Sequence, residues 1–137
     1  MHIQPYLFFD GRCDEALEFY KKTIGAETLM LMRYKESPDP AQCNPATLDK
    51  VMHASFRVGE TIVLASDGHC EGKAKFEGFS LTINADSDAD AQRLFAALGE
   101  GGQVTMPLSE TFFASSFGML ADRFGVGWMV IKVKPMP

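Results

Sequence analysis

Two hydrophobic periodicities alternate along the first half of the chain. Short apolar runs bounded by turn residues predict strands, and a stretch with apolar residues three or four positions apart predicts a helix that ends at Gly25. The predicted strands cover 3–9, 26–34, 51–58 and 61–66, and the helix covers 13–25. The segment 35–49 carries Pro38, Pro40 and Pro45 without periodicity, which predicts a loop.

The second half repeats this order after a polar, glycine-bearing linker. A strand at 79–84 precedes a helix at 87–99, for which Ser87 is the predicted N-cap. Three more strands follow at 102–109, 112–120 and 127–133. The segment RVGETIVL, which starts at Arg57, also resembles RFGVGWMV, which starts at Arg123. The sequence therefore predicts an internal duplication of a βαβββ unit.

The predicted architecture is one α+β domain, 1–137, built of units 1–67 and 78–134. One face of each predicted sheet packs against the helix of its unit, which leaves the other face for a partner sheet or a ligand. Two such units side by side would form an open, barrel-like cleft, and concave sites of this kind are where small molecules bind. Open sheet edges also invite pairing, so we expect a homodimer.

Two segments of the chain carry family motifs: PYLFFDGRCDEALEFYKKTIGAE at the N-terminus and ADRFGVGWMV near the C-terminus. They resemble the PhnB-like branch of the vicinal oxygen chelate superfamily, with Arg123 in place of a proline of the branch. This superfamily includes glyoxalases, extradiol dioxygenases and bleomycin- and fosfomycin-resistance proteins. The resemblance implies the glyoxalase/bleomycin-resistance fold over the whole chain, and it also implies a dimer.

The resemblance further implies where a metal would bind in metal-using members. Its four ligand positions fall near Pro5, Val63 or Leu64, Phe79 and Met129. None of these is a carboxylate, imidazole or thiolate, which divalent ions require. A register slip of one residue adds only Gln4 as a possible oxygen ligand, so no metal or other cofactor is predicted.

Strand alternation predicts which side chains line the cleft. The predicted ligand-binding face combines apolar side chains of the first, fourth, fifth and last strands with two polar candidates. Trp128, next to Met129, is expected on the opposite face against the helix. The alternative interpretation is that the apolar side chains only fill a core. The predicted ligand-binding residues are Pro5, Leu7, Phe9, His53, Leu64, Phe79, Leu81, Glu110 and Met129.

Two functional hypotheses remain open at this point. The first is a metal-free protein that binds a small apolar or aromatic molecule, like the drug-sequestering members of the superfamily. The alternative is a metal-dependent lyase, isomerase or dioxygenase with unconventional ligands among Gln4, His53, Asp67 and Glu110. The sequence thus leaves open whether the chain is an enzyme.

Other sites receive less support from the residue patterns. A methyltransferase label is attached to some PhnB-like sequences, but Gly11 alone does not make the glycine-rich turn of a methyl-donor site on a Rossmann-like sheet. A zinc site of Cys43, His69 and Cys70 lacks chelating spacing.

Composition narrows the possible partners. The net charge of −5 disfavours nucleic acid and anionic membranes, which basic surfaces bind. The N-terminus lacks the basic start and cleavage site of a signal peptide, and no apolar run is long enough to span a bilayer. The odd count of 3 cysteines suits a reducing compartment, so we expect a cytoplasmic protein.

Overall fold

A strand, a helix and three further strands follow one another twice along the chain. The computed structural model describes residues 1–37, 45–68 and 74–135. It divides into two compact units, Met1–Ala74 and Lys75–Pro137. The predicted fold class, α+β with two βαβββ units, is confirmed. No helix in the described ranges is long and apolar enough to cross a lipid bilayer.

The first unit, here called unit 1, has a mixed four-stranded sheet in the order β1-β4-β3-β2. Strand β1 runs parallel to β4, and the other neighbours are antiparallel. Between β2 and β3, single 3-10 turns occupy Tyr34–Glu36 and Pro45–Thr47, while Pro38 and Pro40 lie outside the described residues. The elements are β1 (Tyr6–Phe8), α1 (Cys13–Ile24), β2 (Glu27–Arg33), β3 (Val51–Val58) and β4 (Thr61–Ser66).

The second unit, unit 2, has the same topology, with the strand order β5-β8-β7-β6. Its first strand is again parallel to its last. In each unit the edge strand that follows the helix has two register shifts. The first lies between Thr28 and Met30 in β2 and between Val104 and Met106 in β6. The elements are β5 (Leu81–Asn84), α2 (Asp88–Gly99), β6 (Gln103–Ser109), β7 (Ala114–Ala121) and β8 (Gly127–Val133).

Helix α1 forms where the sequence predicted it and packs on one face of its sheet. Acidic residues lie in its first turn and basic residues in its last, which matches the helix dipole. Gly25 ends it in the left-handed conformation, with φ of 69°. The ring of Tyr20 lies 6.1 Å from that of Phe9 and 5.8 Å from that of Phe56, and all three side chains are buried. These contacts define the helix-covered face of unit 1.

Helix α2 packs on unit 2 in the corresponding way. The Ser87 hydroxyl accepts a hydrogen bond from the Asp90 backbone N–H at 3.1 Å, as expected for the predicted N-cap. A Cβ on Gly118 would lie 2.6 Å from Cε2 of Phe95, so only glycine lets the helix approach β7 this closely. The face of β7 that carries Gly118 and Leu120 is therefore the helix-covered face of unit 2.

Candidate functional site

Each sheet has a second face, opposite the one that carries its helix. In unit 1, Tyr6 is in register with Leu64, Leu64 with Ser55, and Ser55 with Met30, so these four residues form a row across all strands. Phe8, Met32 and His53 lie two residues further along or back on the same strands, so their side chains point to the same side of the sheet. We call this set the open face of unit 1: Tyr6, Phe8, Met30, Met32, His53, Ser55 and Leu64.

Three rings of the open face of unit 1 form one cluster. The centroid of the Tyr6 ring lies 4.7 Å from that of Phe8 and 5.6 Å from that of His53, with interplanar angles of 30° and 35°. Tyr6 Oη and His53 Nδ1 are hydrogen-bonded at 2.9 Å. Phe8 is 55% exposed, and the other two side chains are partly exposed. The cluster therefore combines accessible aromatic surface with a polar pair.

Unit 2 presents a different open face. Thr82, Met129, Met119 and Met106 form the corresponding row, one residue from each strand. The Thr82 hydroxyl donates to Sδ of Met129 at 3.7 Å. Three adjacent thioether side chains make this a polarisable, adaptable apolar surface. Met129 thus lies on the open face of unit 2, as the sequence predicted.

Two predicted ligand residues of unit 1 lie on the wrong face. Leu7 pairs with Ala65 rather than with Leu64, and it is fully buried on the helix-covered side. Phe9 is 1% exposed and contacts the Tyr20 ring. The prediction that Leu7 and Phe9 share a face with Leu64 is wrong, because a shift of one residue in register moves a side chain to the other side of a sheet.

The same error affects the first strand of unit 2. Leu81 pairs with Trp128 and Ile83 with Val130, and both pairs belong to the helix-covered face. Met129 pairs instead with Thr82. The prediction that Leu81 shares a face with Met129 is therefore wrong for the same reason.

The remaining predicted residues lie outside the strands. Pro5 precedes β1, and its carbonyl accepts a hydrogen bond from the Leu64 N–H at 2.9 Å. Phe79 precedes β5 and is 48% exposed. Glu110 follows β6 and forms an exposed ion pair with Lys134 at 3.2 Å. A role of these three residues in ligand binding stays a prediction.

The open faces do not fit a divalent metal ion. On the paired first and last strands of each unit, the open-face side chains are those of Tyr6 and Leu64 in unit 1 and of Thr82 and Met129 in unit 2, and none of them is a carboxylate or an imidazole. Within 1–37, 45–68 and 74–135, no group of three His, Cys, Asp or Glu residues could hold a metal. The residues of the disfavoured zinc site, Cys43, His69 and Cys70, lie outside the described residues.

The carboxylate of Asp67, a possible metal ligand in the metal-dependent alternative, accepts hydrogen bonds from backbone N–H groups. Its Oδ1 accepts hydrogen bonds from the N–H groups of Gly11 and Cys13, at 2.9 and 2.8 Å, and its Oδ2 accepts from that of Val51 at 2.8 Å. The side chain is 1% exposed. Helix α1 has no side-chain cap from Arg12, so Asp67 satisfies the helix N-terminus from the end of β4.

Sequence reasoning missed Tyr6 and Phe8 as open-face residues. A usable signal was present in β3, where His53, Ser55 and Arg57 alternate with Ala54 and Phe56. That alternation marks the side away from the helix. The sequence contains no comparable signal for the register of β1, which is only three residues long.

Comparison with known proteins identifies the family. A family model described as 3-demethylubiquinone-9 3-methyltransferase matches residues 1–131. The crystal structure of protein PA1353 from Pseudomonas aeruginosa is 44% identical, with a TM-score of 0.86 and coverage of 98% of this chain and 99% of that one.

Two further structures share the fold at low identity. The PhnB protein from Bacillus cereus is 24% identical with a TM-score of 0.81, covering 97% of this chain and 100% of that one. The fosfomycin-resistance protein FosX from Mesorhizobium loti is 13% identical with a TM-score of 0.65, covering 98% and 92%. With the family match, these likenesses confirm the resemblance found in the sequence. The chain belongs to the family described as 3-demethylubiquinone-9 3-methyltransferase, in the PhnB-like branch of the vicinal oxygen chelate superfamily.

Proposed function

We propose that the chain binds a small, largely apolar molecule and that the open face of unit 1 is part of its binding surface. One observation carries this proposal: a sheet face of a small unit keeps Phe8, Tyr6 and Met30 partly or largely accessible instead of packing them against α1. Accessible aromatic and methionine side chains are the groups that bind varied apolar ligands.

One protein with this fold is named for a small molecule. FosX, which has this fold, is named for resistance to the antibiotic fosfomycin. A protein that only sequesters a ligand needs an apolar surface and little else. Of the residues predicted from sequence, His53 and Leu64 lie on the open face of unit 1 and are proposed as ligand contacts. The role predicted for Met129, which belongs to unit 2, stays a prediction. The metal-dependent alternative has less support, since Asp67 binds the backbone and Glu110 pairs with Lys134.

A thermal-shift screen tests the proposal directly. Compounds that bind only the folded chain raise its melting temperature, so we expect shifts from planar aromatic compounds and no comparable shift from sugars or free phosphate. Isothermal titration calorimetry on the strongest compound then gives its affinity. S-adenosylmethionine belongs in the same screen, because the family description names a methyltransferase.

Matched variants locate the binding surface. Leu64→Gln puts an amide at the centre of the open face of unit 1, and we expect it to weaken the aromatic ligand by about tenfold. Leu29→Gln is the control, because Leu29 is already 43% exposed at the bulge of the edge strand β2. Equal affinity in both variants would remove the open face of unit 1 from the site. Absence of any aromatic ligand would refute the proposal itself.

We further propose that the chain is a cytoplasmic homodimer. One of the two edge strands of each sheet, β2 in unit 1 and β6 in unit 2, presents mostly exposed residues that a second copy could pair with. The free, buried Cys13 fits a reducing compartment. A light-scattering mass of one chain, 15.1 kDa, at micromolar concentration would reject the dimer.

A further inference from the structure

We propose that the Tyr6–His53 pair is the polar anchor of the site and selects hydroxylated aromatic ligands. This inference rests on the proposed function, because it assigns a ligand class to the open face of unit 1. The observation behind it is that His53, the only histidine among the open-face residues of unit 1, is hydrogen-bonded to the phenol of Tyr6 within the cluster of three rings.

The second nitrogen of His53 is available to a ligand. Among the described residues, the imidazole makes one hydrogen bond, between Nδ1 and Tyr6 Oη, and Nε2 has no partner. In the same part of the chain, every fully buried side-chain nitrogen and oxygen is hydrogen-bonded. It follows that Nε2 is accessible, on an imidazole that contacts the Tyr6 ring and lies in register with Met32 of the neighbouring strand.

The direction of the hydrogen bond between His53 and Tyr6 determines whether Nε2 is a hydrogen-bond donor or an acceptor. When the Tyr6 hydroxyl donates to Nδ1, the neutral imidazole carries its proton on Nε2, which is then a donor. When Nδ1–H donates to Tyr6 Oη, Nε2 is an acceptor. A ligand hydroxyl can accept in the first case and donate in the second, whereas a carbonyl or ether oxygen serves only the first.

The rings beside this nitrogen favour a planar ligand. Tyr6 and Phe8 present neighbouring, tilted ring faces, and aromatic partners gain energy in offset or edge-to-face contact with such rings. A ligand that stacks there brings a ring substituent to the imidazole edge. The ligand class is therefore an aromatic ring that carries a hydroxyl group, as in phenols and naphthols.

Two probes of nearly equal shape separate this anchor from a purely apolar surface. 1-Naphthol carries the hydroxyl, and 1-methylnaphthalene carries a methyl group in its place. An apolar surface should bind the methyl compound at least as tightly, because burying an unpaired hydroxyl is unfavourable. We expect the native chain to prefer 1-naphthol by roughly three- to tenfold in calorimetric titration, the gain expected of one net hydrogen bond.

Three variants test the assignment. His53→Phe retains a ring beside Tyr6 but removes both nitrogens, and we expect the preference to disappear or reverse while 1-methylnaphthalene still binds. Tyr6→Phe should reduce the preference because His53 loses the partner that orients its ring. His2→Phe is the matched control: it makes the same substitution at an exposed histidine outside the open face of unit 1, and the preference should remain. Circular dichroism melting curves verify that each variant is folded.

The outcomes separate this inference from the proposed function. If both probes bind and His53→Phe keeps the preference for 1-naphthol, the anchor is wrong although small-molecule binding stands. If the native chain prefers 1-methylnaphthalene, the anchor is also wrong. If neither probe binds the native chain, both the anchor and aromatic binding on the open face of unit 1 are overturned.

Discussion

The indole Nε1–H of Trp128 donates a hydrogen bond to Oδ2 of Asp122 at 2.8 Å, and both side chains are buried. Oδ1 of the same carboxylate accepts hydrogen bonds from the backbone N–H groups of Phe124 and Val126 at 2.9 and 3.1 Å. A single carboxylate therefore holds the turn between β7 and β8 and positions the indole on the helix-covered face. The sequence prediction that Trp128 lies opposite Met129 is confirmed.

We predict that Trp128 contributes to stability rather than to ligand binding. Trp128→Ala should lower the free energy of unfolding by about 3–5 kcal/mol, as expected for a large buried truncation. Trp128→Phe should cost about 1–3 kcal/mol, because it leaves Oδ2 of Asp122 without the indole donor. Urea denaturation measures both values.

Fluorescence of the single tryptophan gives an independent check. The native emission should be blue-shifted and insensitive to acrylamide and to bound ligand, because Trp128 is 3% exposed. Strong quenching by acrylamide, or a cost below about 1 kcal/mol for Trp128→Ala, would contradict the burial on which this prediction rests.

Element positions were predictable from sequence where glycine turns and a regular periodicity bound them. The predicted spans 51–58, 61–66 and 127–133 match β3, β4 and β8. The first strands of the units were predicted too long: Ile3 is 96% exposed outside β1, and Phe79 precedes β5. Pro5 has no N–H to donate, which limits pairing at the start of β1.

The faces of β1 and β5 were not predictable, because parallel pairing with a distant strand leaves no local signal. The segments RVGETIVL and RFGVGWMV are similar in sequence, but their aligned residues do not occupy equivalent positions in the two hairpins. The first hairpin closes at the pair Val58–Thr61 and the second at Ala121–Gly127, so their turns differ in length. Constant spacing therefore misaligns the strands that follow, and a slip of one residue exchanges the faces.

Asp67 should be among the most sensitive positions of unit 1. Asp67→Ala removes the acceptor of three backbone N–H groups that the fold keeps buried or partly buried, from Gly11, Cys13 and Val51. We expect a loss of about 3 kcal/mol or more, since buried donors without acceptors are costly. Glu18→Ala, on the exposed side of α1, is the control and should change stability by less than about 0.5 kcal/mol. Urea denaturation of both variants decides; similar values for the two would show that Asp67 does not hold these elements together.

Asp88 should remain ionised to lower pH than an ordinary aspartate. Hydrogen bonds from the Ser115 and Ser116 hydroxyls to its Oδ1, both 2.6 Å long, hold the pKa of the carboxyl below its ordinary value. These consecutive serines reach one acceptor because the register of β7 shifts between Ala114 and Ser116. The ionised form is favoured in the folded chain, so this contribution to stability is present above the unfolded pKa, about 4, and is lost as the pH falls through the folded pKa.

The double variant Ser115→Ala/Ser116→Ala measures this effect. We expect the pKa of Asp88 to rise toward its ordinary value, as followed by NMR titration of the carboxyl carbon. The acid unfolding midpoint should move to higher pH in the same variant. An unchanged pKa of Asp88 would mean that the serines do not stabilise its charge.

Cys13 should be an unreactive thiol in the folded chain. It is fully buried at the start of α1, and burial, followed by the negative charges of Asp67 and Asp14, raises the pKa of the thiol. In the variant Cys43→Ser/Cys70→Ser, which leaves it as the sole cysteine, we expect no reaction with DTNB in native buffer and rapid reaction in urea. Because the folded state binds the thiol proton more tightly than the unfolded state, stability should be intact below a pH of about 8.5 and should fall as the pH rises above it. The variant Cys13→Ala is the control for that alkaline loss, which it should lack, and fast labelling of Cys13 in the native state would contradict its burial.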